Sequence, residues 1–392
     1  MLKLVLWDYT GESESFVKNF LRPNSAQIVR TLKPDDTDQA EIILRGDWDY
    51  VLIFADENSQ EIFDEILSTM RAMNFSTDKI IFANLPKDWA RKPEALYSLL
   101  KPSTAQSELI CRHLNFVNHK KWHRYVACDA ENLHYVGTSK DEFVIKSTYI
   151  KRENFAADEM KTFHALAKKF YGTDDGDGYF LDLGANIGTT GIYFLKKLAP
   201  NLKLFAVEPD AENFKLLRVN LILNDLDSRA TLINCGLGEN FDTLTFYKDL
   251  NNPGANSIFL QFKHEVPTET IKIAPLDYLL AESKIAPEEV KYIWIDTEGF
   301  EAQVLLGAKN LLAKSNAPVF MEFNPVSWKN SGSLEKMVDM LKNLGYGHFI
   351  SVQEFLRTGE EKICPIKNLS VAVNYVMPGV GKNGDIFLIK NL

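Results

Sequence analysis

The chain has 392 residues, a formal net charge of -9, 45% hydrophobic residues and 25% charged residues. At roughly 150 residues per domain this exceeds one hydrophobic core, so two or three domains are expected, and the apolar content excludes disorder over most of the chain. The acidic balance gives no general attraction to polyphosphate, and no run approaches the roughly 20 apolar residues of a membrane helix.

The opening segment MLKLVLWDYTGESES carries one basic residue and a short apolar run that meets Asp8. It lacks the apolar core and small-residue cleavage site of a secretory signal and reads as a first buried strand. Up to residue 107 the pattern is that of a small N-terminal α/β domain, with strands over Leu2–Trp7, Tyr50–Phe54 and Lys79–Phe82. Ile62, Phe63, Ile66, Leu67 and Met70 share one face of a helix over Asn58–Met73. Its first strand is followed by no glycine-rich turn, and Asp8, Glu12 and Glu14 would repel a phosphate. No catalytic signature is visible there.

Residues 108–170 read as a connecting segment and candidate substrate cap. In Cys111–Tyr125 basic and aromatic residues interleave, which is how a strand of nucleic acid is stacked and neutralised. In so acidic a chain a solvated face is the better reading, and nucleic acid is not an expected partner. Short strands are expected at Tyr125–Cys128, Leu133–Val136 and Glu142–Ile145, then a helix over Ala156–Phe170. The turn 171–178 holds Asp174, Asp175 and Asp177 but lacks the glutamate of a calcium loop. Cys111, Cys128, Cys235 and Cys364 form no C-x-x-C pair, so neither zinc nor a disulfide framework is indicated, and a reducing cytoplasm is expected.

From residue 171 to 392 strands and helices alternate regularly. Strands are expected at 179–184, 203–208, 230–235, 291–296 and 317–323, and helices at 188–198, 211–224, 301–314 and 333–344. That is a parallel sheet with helices on both faces, whose ligands bind at the carboxyl ends of the strands. The unusual residues fall at those ends. Asp182 precedes Gly184-Ala-Asn-Ile-Gly188, a turn in which the backbone can approach a ligand closely. Its G-x-x-x-G-x-x-G spacing differs from the G-x-G-x-x-G of dinucleotide folds, and an acid at 182 suits a cofactor with an ammonium and a sulfonium better than a pyrophosphate. Glu208, one βαβ step later, can accept both hydroxyls of a ribose. Asp296, Glu298 and Glu301 crowd the end of the fourth strand, and Glu322 and Asn324 the end of the next. Neighbouring buried carboxylates repel one another, which points to function.

With these residues in place the chain resembles the FkbM-type methyltransferases, within the class I S-adenosylmethionine-dependent group. The matching runs are LDLGANIGTTG at 181–191, VEPDAENFKLLRVNLILN at 207–224, WIDTEGFEAQVLLGA at 294–308 and FMEFNP at 320–325. The resemblance implies a Rossmann-like sheet with a reversed last strand, for which Asp385–Lys390 is the candidate. It also implies methyl transfer from S-adenosylmethionine to a hydroxyl of a sugar, glycan or secondary metabolite. Gly184, Asn186 and Gly188 would pass the methionine end, Glu208 would bind the ribose, and Asn234 and Cys235 would lie near the adenine.

Methyl transfer is an in-line displacement in which the protein aligns the acceptor and removes its proton. Asp296 is the first candidate for that carboxylate; Glu298 and the loop residue His264 are further candidates. Glu301 also reads as a first-turn acid favoured by a helix dipole. Asp296, Glu322 and Asn324 form an oxygen donor set that suits magnesium, which would acidify a coordinated hydroxyl. The turn-rich loop 251–257 is placed to cover an acceptor. The competing expectations are a catalytically inactive scaffold that keeps the cofactor fold and, against the turn spacing, a nicotinamide-dependent oxidoreductase.

Overall fold

The computed structural model of the protein describes residues 2–22, 24–33, 46–54, 79–83, 105–249, 252–258, 266–323, 334–371 and 384–390. The chain divides into two compact units, Met1–Arg124 and Tyr125–Leu392. The segment read as a connector is thereby shared between them. The expected helix over 58–73 lies outside the described residues.

In the first unit, β1 (Leu2–Asp8), β2 (Ala26–Leu32), β3 (Tyr50–Phe54) and β4 (Ile80–Phe82) form a parallel sheet in the order β2-β1-β3-β4. Val51, Leu52, Ile53 and Phe54 are fully buried, as their unbroken apolar run requires of a strand covered on both faces. After β1, Asp8 accepts hydrogen bonds from the backbone N–H groups of Thr10, Gly11, Glu12 and Ser13 at 2.8–3.2 Å. Burial disfavours its charge, and the bonds from Ser13, Gly11 and Thr10 outweigh burial, holding the carboxyl below the ordinary range. The N–H groups that a phosphate would need are thus occupied by the chain's own carboxylate. Residues Ala105–Trp122 form a helix.

In the second unit, β7 (Tyr179–Leu183), β8 (Lys203–Val207), β9 (Ala230–Ile233), β13 (Val290–Ile295) and β14 (Val319–Phe323) run parallel. They belong to an eight-stranded sheet that also holds β15 (Tyr346–Ser351), β16 (Ile363–Pro365) and β17 (Gly384–Lys390), in the order β16-β15-β17-β14-β13-β7-β8-β9. β17 inserts antiparallel between β14 and β15. This is the reversed strand expected at 385–390, and the whole is the Rossmann-like α/β sheet read from the sequence. The order reverses between β7 and β13, so a crevice opens at their carboxyl ends.

One face of the sheet is an aromatic layer. Trp294 and Phe320, paired across β13 and β14, stack with centroids 3.7 Å apart. Phe163, on helix Ala157–Tyr171, meets both of them as well as Tyr292 and Phe387. That helix is therefore a layer of the core of this unit.

Two expectations about individual elements are corrected. Glu142–Ile145 is not a strand: Asp141 accepts from the N–H groups of Phe143, Val144 and Ile145 at 2.9, 2.9 and 3.2 Å, which starts a helix at Val144 in spite of the β-branched run. The helix 301–314 is broken into Glu301–Leu306 and Lys309–Lys314. A β-carbon on Gly307 would lie 2.1 Å from the Gly238 carbonyl, so the chains cross there backbone to backbone. The insertion after β9 is structured. β10 (Gly236–Leu237), β11 (Asp242–Tyr247) and β12 (Thr268–Ala274) form a small sheet in the order β10-β12-β11. Among the described residues no helix is long and apolar enough to cross a membrane.

Candidate active site

A cleft opens at the reversal point of the larger sheet. Its walls come from the turn after β7 (Gly184, Asn186), the end of β8 with the helix that follows (Val207, Glu208, Pro209, Asn213) and the segment after β9 (Cys235, Gly236, Leu237). The loop after β13 contributes Asp296, Thr297, Glu298 and Phe300, and the insertion Phe246, Pro253, Gly254, Asn256 and Ile258. The mixed apolar and acidic lining, at the carboxyl ends of the strands, is that of a small-molecule site.

The glycine turn is set by its neighbours. Gly184 has φ +90°, and a β-carbon on it would come within 1.8 Å of the Asp296 carbonyl oxygen. The N–H groups of Gly184 and Ala185 both donate to Val207 O at 3.0 Å. Asn186 takes a left-handed conformation, φ 49°, and its N–H donates to Glu208 Oε2 at 2.8 Å. A β-carbon on Gly188 would lie 2.6 Å from Leu217, so the turn is packed down onto the helix Ala211–Leu223.

Glu208 is 5% exposed and reaches the cleft. Its other oxygen accepts from Asp210 N at 2.8 Å. Each carboxylate oxygen thus holds one backbone N–H and keeps lone pairs for a ligand. Burial pushes its carboxyl up to about 8, against the two backbone hydrogen bonds. Asn186 Oδ1 is buried with no hydrogen-bond partner among the described residues, an acceptor left for a bound donor.

Asp182 stands elsewhere. It is buried beneath the turn and does not line the cleft; its Oδ2 accepts from Gly191 N at 3.0 Å. Burial pushes it up to about 7, the Gly191 bond works against this, and the charge of Asp296 adds to it. Asn234 is also off the cleft wall, its Nδ2 donating to the carbonyls of Glu208 and Pro209 at 2.8 and 3.1 Å, whereas Cys235 is on it.

Asp296 is exposed, on the cleft wall. Protein packed around it, then the charge of Glu301, raises its carboxyl above the ordinary range, a rise that the water reaching this exposed side chain reduces. Glu298, also on the wall, has φ 52°, and burial with the charges of Asp296 and Glu301 raises it as well. Glu301 is fully buried. Its Oε1 accepts from Thr297 N, Thr297 Oγ1 and Gly299 N at 2.9, 3.1 and 3.0 Å, so it organises the loop that carries the other two acids.

Glu322 lies on β14 opposite Asp385 of β17, off the cleft wall, and burial raises its carboxyl, with the charges of Asp296, Glu301, Glu298 and Asp385 adding to the rise. Asn324 and His264 lie outside the described residues. Among the described residues no three acids, histidines or cysteines are grouped to hold a metal ion, which leaves the magnesium reading without a described donor set.

The insertion loop spans the cleft from wall to wall. On one side Asp210, 1% exposed, caps the helix Ala211–Leu223 through Glu212 N and Asn213 N. Its second oxygen receives Lys248 Nζ at 2.6 Å and Asn256 Nδ2 at 3.2 Å. On the other side Ser257 Oγ donates to the Glu298 carbonyl at 2.9 Å. The sequence pointed to this loop but missed Asn213, Phe246 and Phe300. The signal for Phe246 was present in the alternation of Asp242–Tyr247.

Residues 182–347 match the family model described as the Methyltransferase FkbM domain. Methyltransferase sdnD from Sordaria araneosa is 32% identical over 94 residues, which are 24% of this chain and 36% of that protein. The chain thus spans about a third of the length of this curated relative. Among solved structures, Methyltransferase FkbM from Methylobacillus flagellatus KT is similar at 12% identity over 99% of this chain and 90% of that one, with a TM-score of 0.32. Precorrin-6y C5,15-methyltransferase from Geobacter metallireducens GS-15 is similar at 14% identity over 58% and 87%, with a TM-score of 0.31. At such scores these likenesses add nothing to the strand order, on which the fold rests.

Proposed function

We propose that this chain, which carries an FkbM methyltransferase domain over residues 182–347, binds S-adenosylmethionine in the cleft and methylates a hydroxyl of an uncharged small molecule or glycan. The observation that carries the proposal is the pairing of Glu208 with the Gly184–Gly188 turn through the Asn186 N–H. It joins a deep carboxylate with spare lone pairs to the part of the turn that lines the cleft, Gly184 and Asn186.

The residues fit such a cofactor. Glu208 is suited to the two ribose hydroxyls, and the orphaned Asn186 Oδ1 to a donor such as an ammonium. Cys235, Leu237 and Phe246 offer an apolar wall for a purine. When bound, S-adenosylmethionine supplies a methyl group already activated by its positive sulfur. The chain's own task is then to align the acceptor oxygen, exclude water and take the proton. Asp296 is suited to take it, because its carboxylate stands open on the cleft wall, where an acceptor can reach it. Glu298 on the same wall would orient the acceptor. The described lining includes Glu208, Asp296 and Glu298 and no Lys, Arg or His, which favours a neutral acceptor over a phosphate or carboxylate.

Calorimetry with S-adenosylhomocysteine and transfer of labelled methyl to a panel of polyols, glycans and polyketide alcohols test this. Asp296→Asn should abolish transfer and keep cofactor binding. Binding of NADH with no response to S-adenosylhomocysteine would overturn the proposal, and binding without turnover on any acceptor would favour the inactive scaffold.

A further inference from the structure

β5 (Tyr125–Ala130) and β6 (Leu133–Thr138) form a two-stranded hairpin, and the outer edge of β6 is met by a helix. His134 N donates to Asn224 Oδ1 at 3.0 Å, and Asn224 Nδ2 donates to His134 O at 2.7 Å. One turn earlier, Val136 N donates to Asn220 Oδ1 at 2.7 Å, and Asn220 Nδ2 donates to Val136 O at 3.1 Å. Two residues along a strand advance about 6.7 Å and four along a helix about 6 Å, so asparagines four apart match alternate residues of an extended chain. Each carboxamide offers a C=O and an N–H on one edge, the pair a neighbouring strand would offer.

The two asparagines then differ. The remaining Asn224 hydrogen goes to Asn220 O within the helix, at 2.8 Å. The remaining Asn220 hydrogen goes to the Ile187 carbonyl, at 2.8 Å, inside the glycine turn. Asn220 is fully buried, and all of its donors and its acceptor are used. The turn thus has three anchors: Val207 O for Gly184 and Ala185, Glu208 for Asn186, and Asn220 for Ile187.

We propose that Asn220 is a positioning residue that couples the hairpin 125–138 to the cofactor turn and sets cofactor affinity without touching the cofactor. Asn224, which holds the same hairpin but not the turn, is its internal control. The inference rests on the cofactor reading above for its affinity effect, and on the geometry alone for its effect on the turn.

The test compares Asn220→Ser and Asn224→Ser in the full chain. Asn220→Ser should weaken S-adenosylhomocysteine binding about tenfold, the effect of one lost buried hydrogen bond, and speed hydrogen exchange at the amides of Asn186 and Gly188. Asn224→Ser should leave both within about twofold of wild type despite a similar loss of melting temperature. Equal effects of the two variants on affinity and exchange, or no effect of either, overturn the proposal. If Asn220→Ser does not fold, wild type decides: S-adenosylhomocysteine should slow exchange at Val136 more than at His134, and equal slowing overturns it. Should wild type bind no S-adenosylhomocysteine, the cofactor reading fails, and exchange at Asn186 and Gly188 in the two variants alone decides the coupling.

Discussion

Gly184 and Asp296 meet through bare backbone: the carbonyl oxygen of Asp296 stands 1.8 Å from the place a β-carbon on Gly184 would take. The ends of β7 and β13 close on each other there, and the cleft is built on that contact. Gly184→Ala adds both this clash and an unfavourable φ of +90°. The variant should lose about 2 kcal/mol or more in a denaturant titration, and with it S-adenosylhomocysteine binding. A midpoint equal to that of wild type would show that the strand ends separate easily.

Glu208 uses one oxygen for Asn186 N and the other for Asp210 N. Glu208→Gln keeps the shape and turns an NH2 toward one of these donors, while removing a site for a ribose hydroxyl. S-adenosylhomocysteine affinity should fall by about tenfold to a hundredfold in calorimetry, the consequence of one or two lost charge-assisted hydrogen bonds. Unchanged affinity would place the ribose elsewhere.

Asp182 and Glu208 are raised by burial to about 7 and about 8. Between an ordinary carboxylate pKa and these values the native state keeps protons that the unfolded state has lost, so stability falls as pH rises through this window. Asp8, held low, acts the other way, its contribution being lost as pH falls below its unfolded value. The ligand-free protein should therefore melt at a higher temperature at pH 6 than at pH 9. Asp182→Asn, which still accepts the Gly191 N–H, should flatten the part of that slope below about pH 7. A melting temperature that is constant or rises toward pH 9 would contradict the assignment.

Lys248 is the cation beside buried Asp210, which also caps a helix and holds Asn256. Lys248→Met leaves that carboxylate with hydrogen bonds and no opposite charge among the described residues. A loss of about 1–3 kcal/mol is expected, with faster hydrogen exchange across 252–258. If the loop exchanges as in wild type, its position over the cleft does not depend on this ion pair.

Much of the larger unit was legible because its strands are unbroken apolar runs ending in acids, as in Tyr292–Asp296. That Gly184 and Glu208 stand at the carboxyl ends of neighbouring strands was legible from the strand pattern, and both line the cleft. The setting of Asp182 was not legible: strand alternation does not say that an acid at a strand end is buried against the Gly191 N–H beneath the turn. Strand propensity in Val144–Ile145 yielded to the three hydrogen bonds of Asp141. The break at Gly307 depends on the distant Gly238 carbonyl, and no local pattern announces such a crossing.

The carboxamides of Asn220 and Asn224 also bear on how the protein behaves in company. A two-stranded hairpin by itself is barely stable in water, and an open strand edge invites another chain to pair with it. Here the N–H and C=O groups of His134 and Val136 are already taken by a helix of the same molecule. The edge is closed without a further strand, and a chain stripped of both asparagines would expose a template for intermolecular β-pairing.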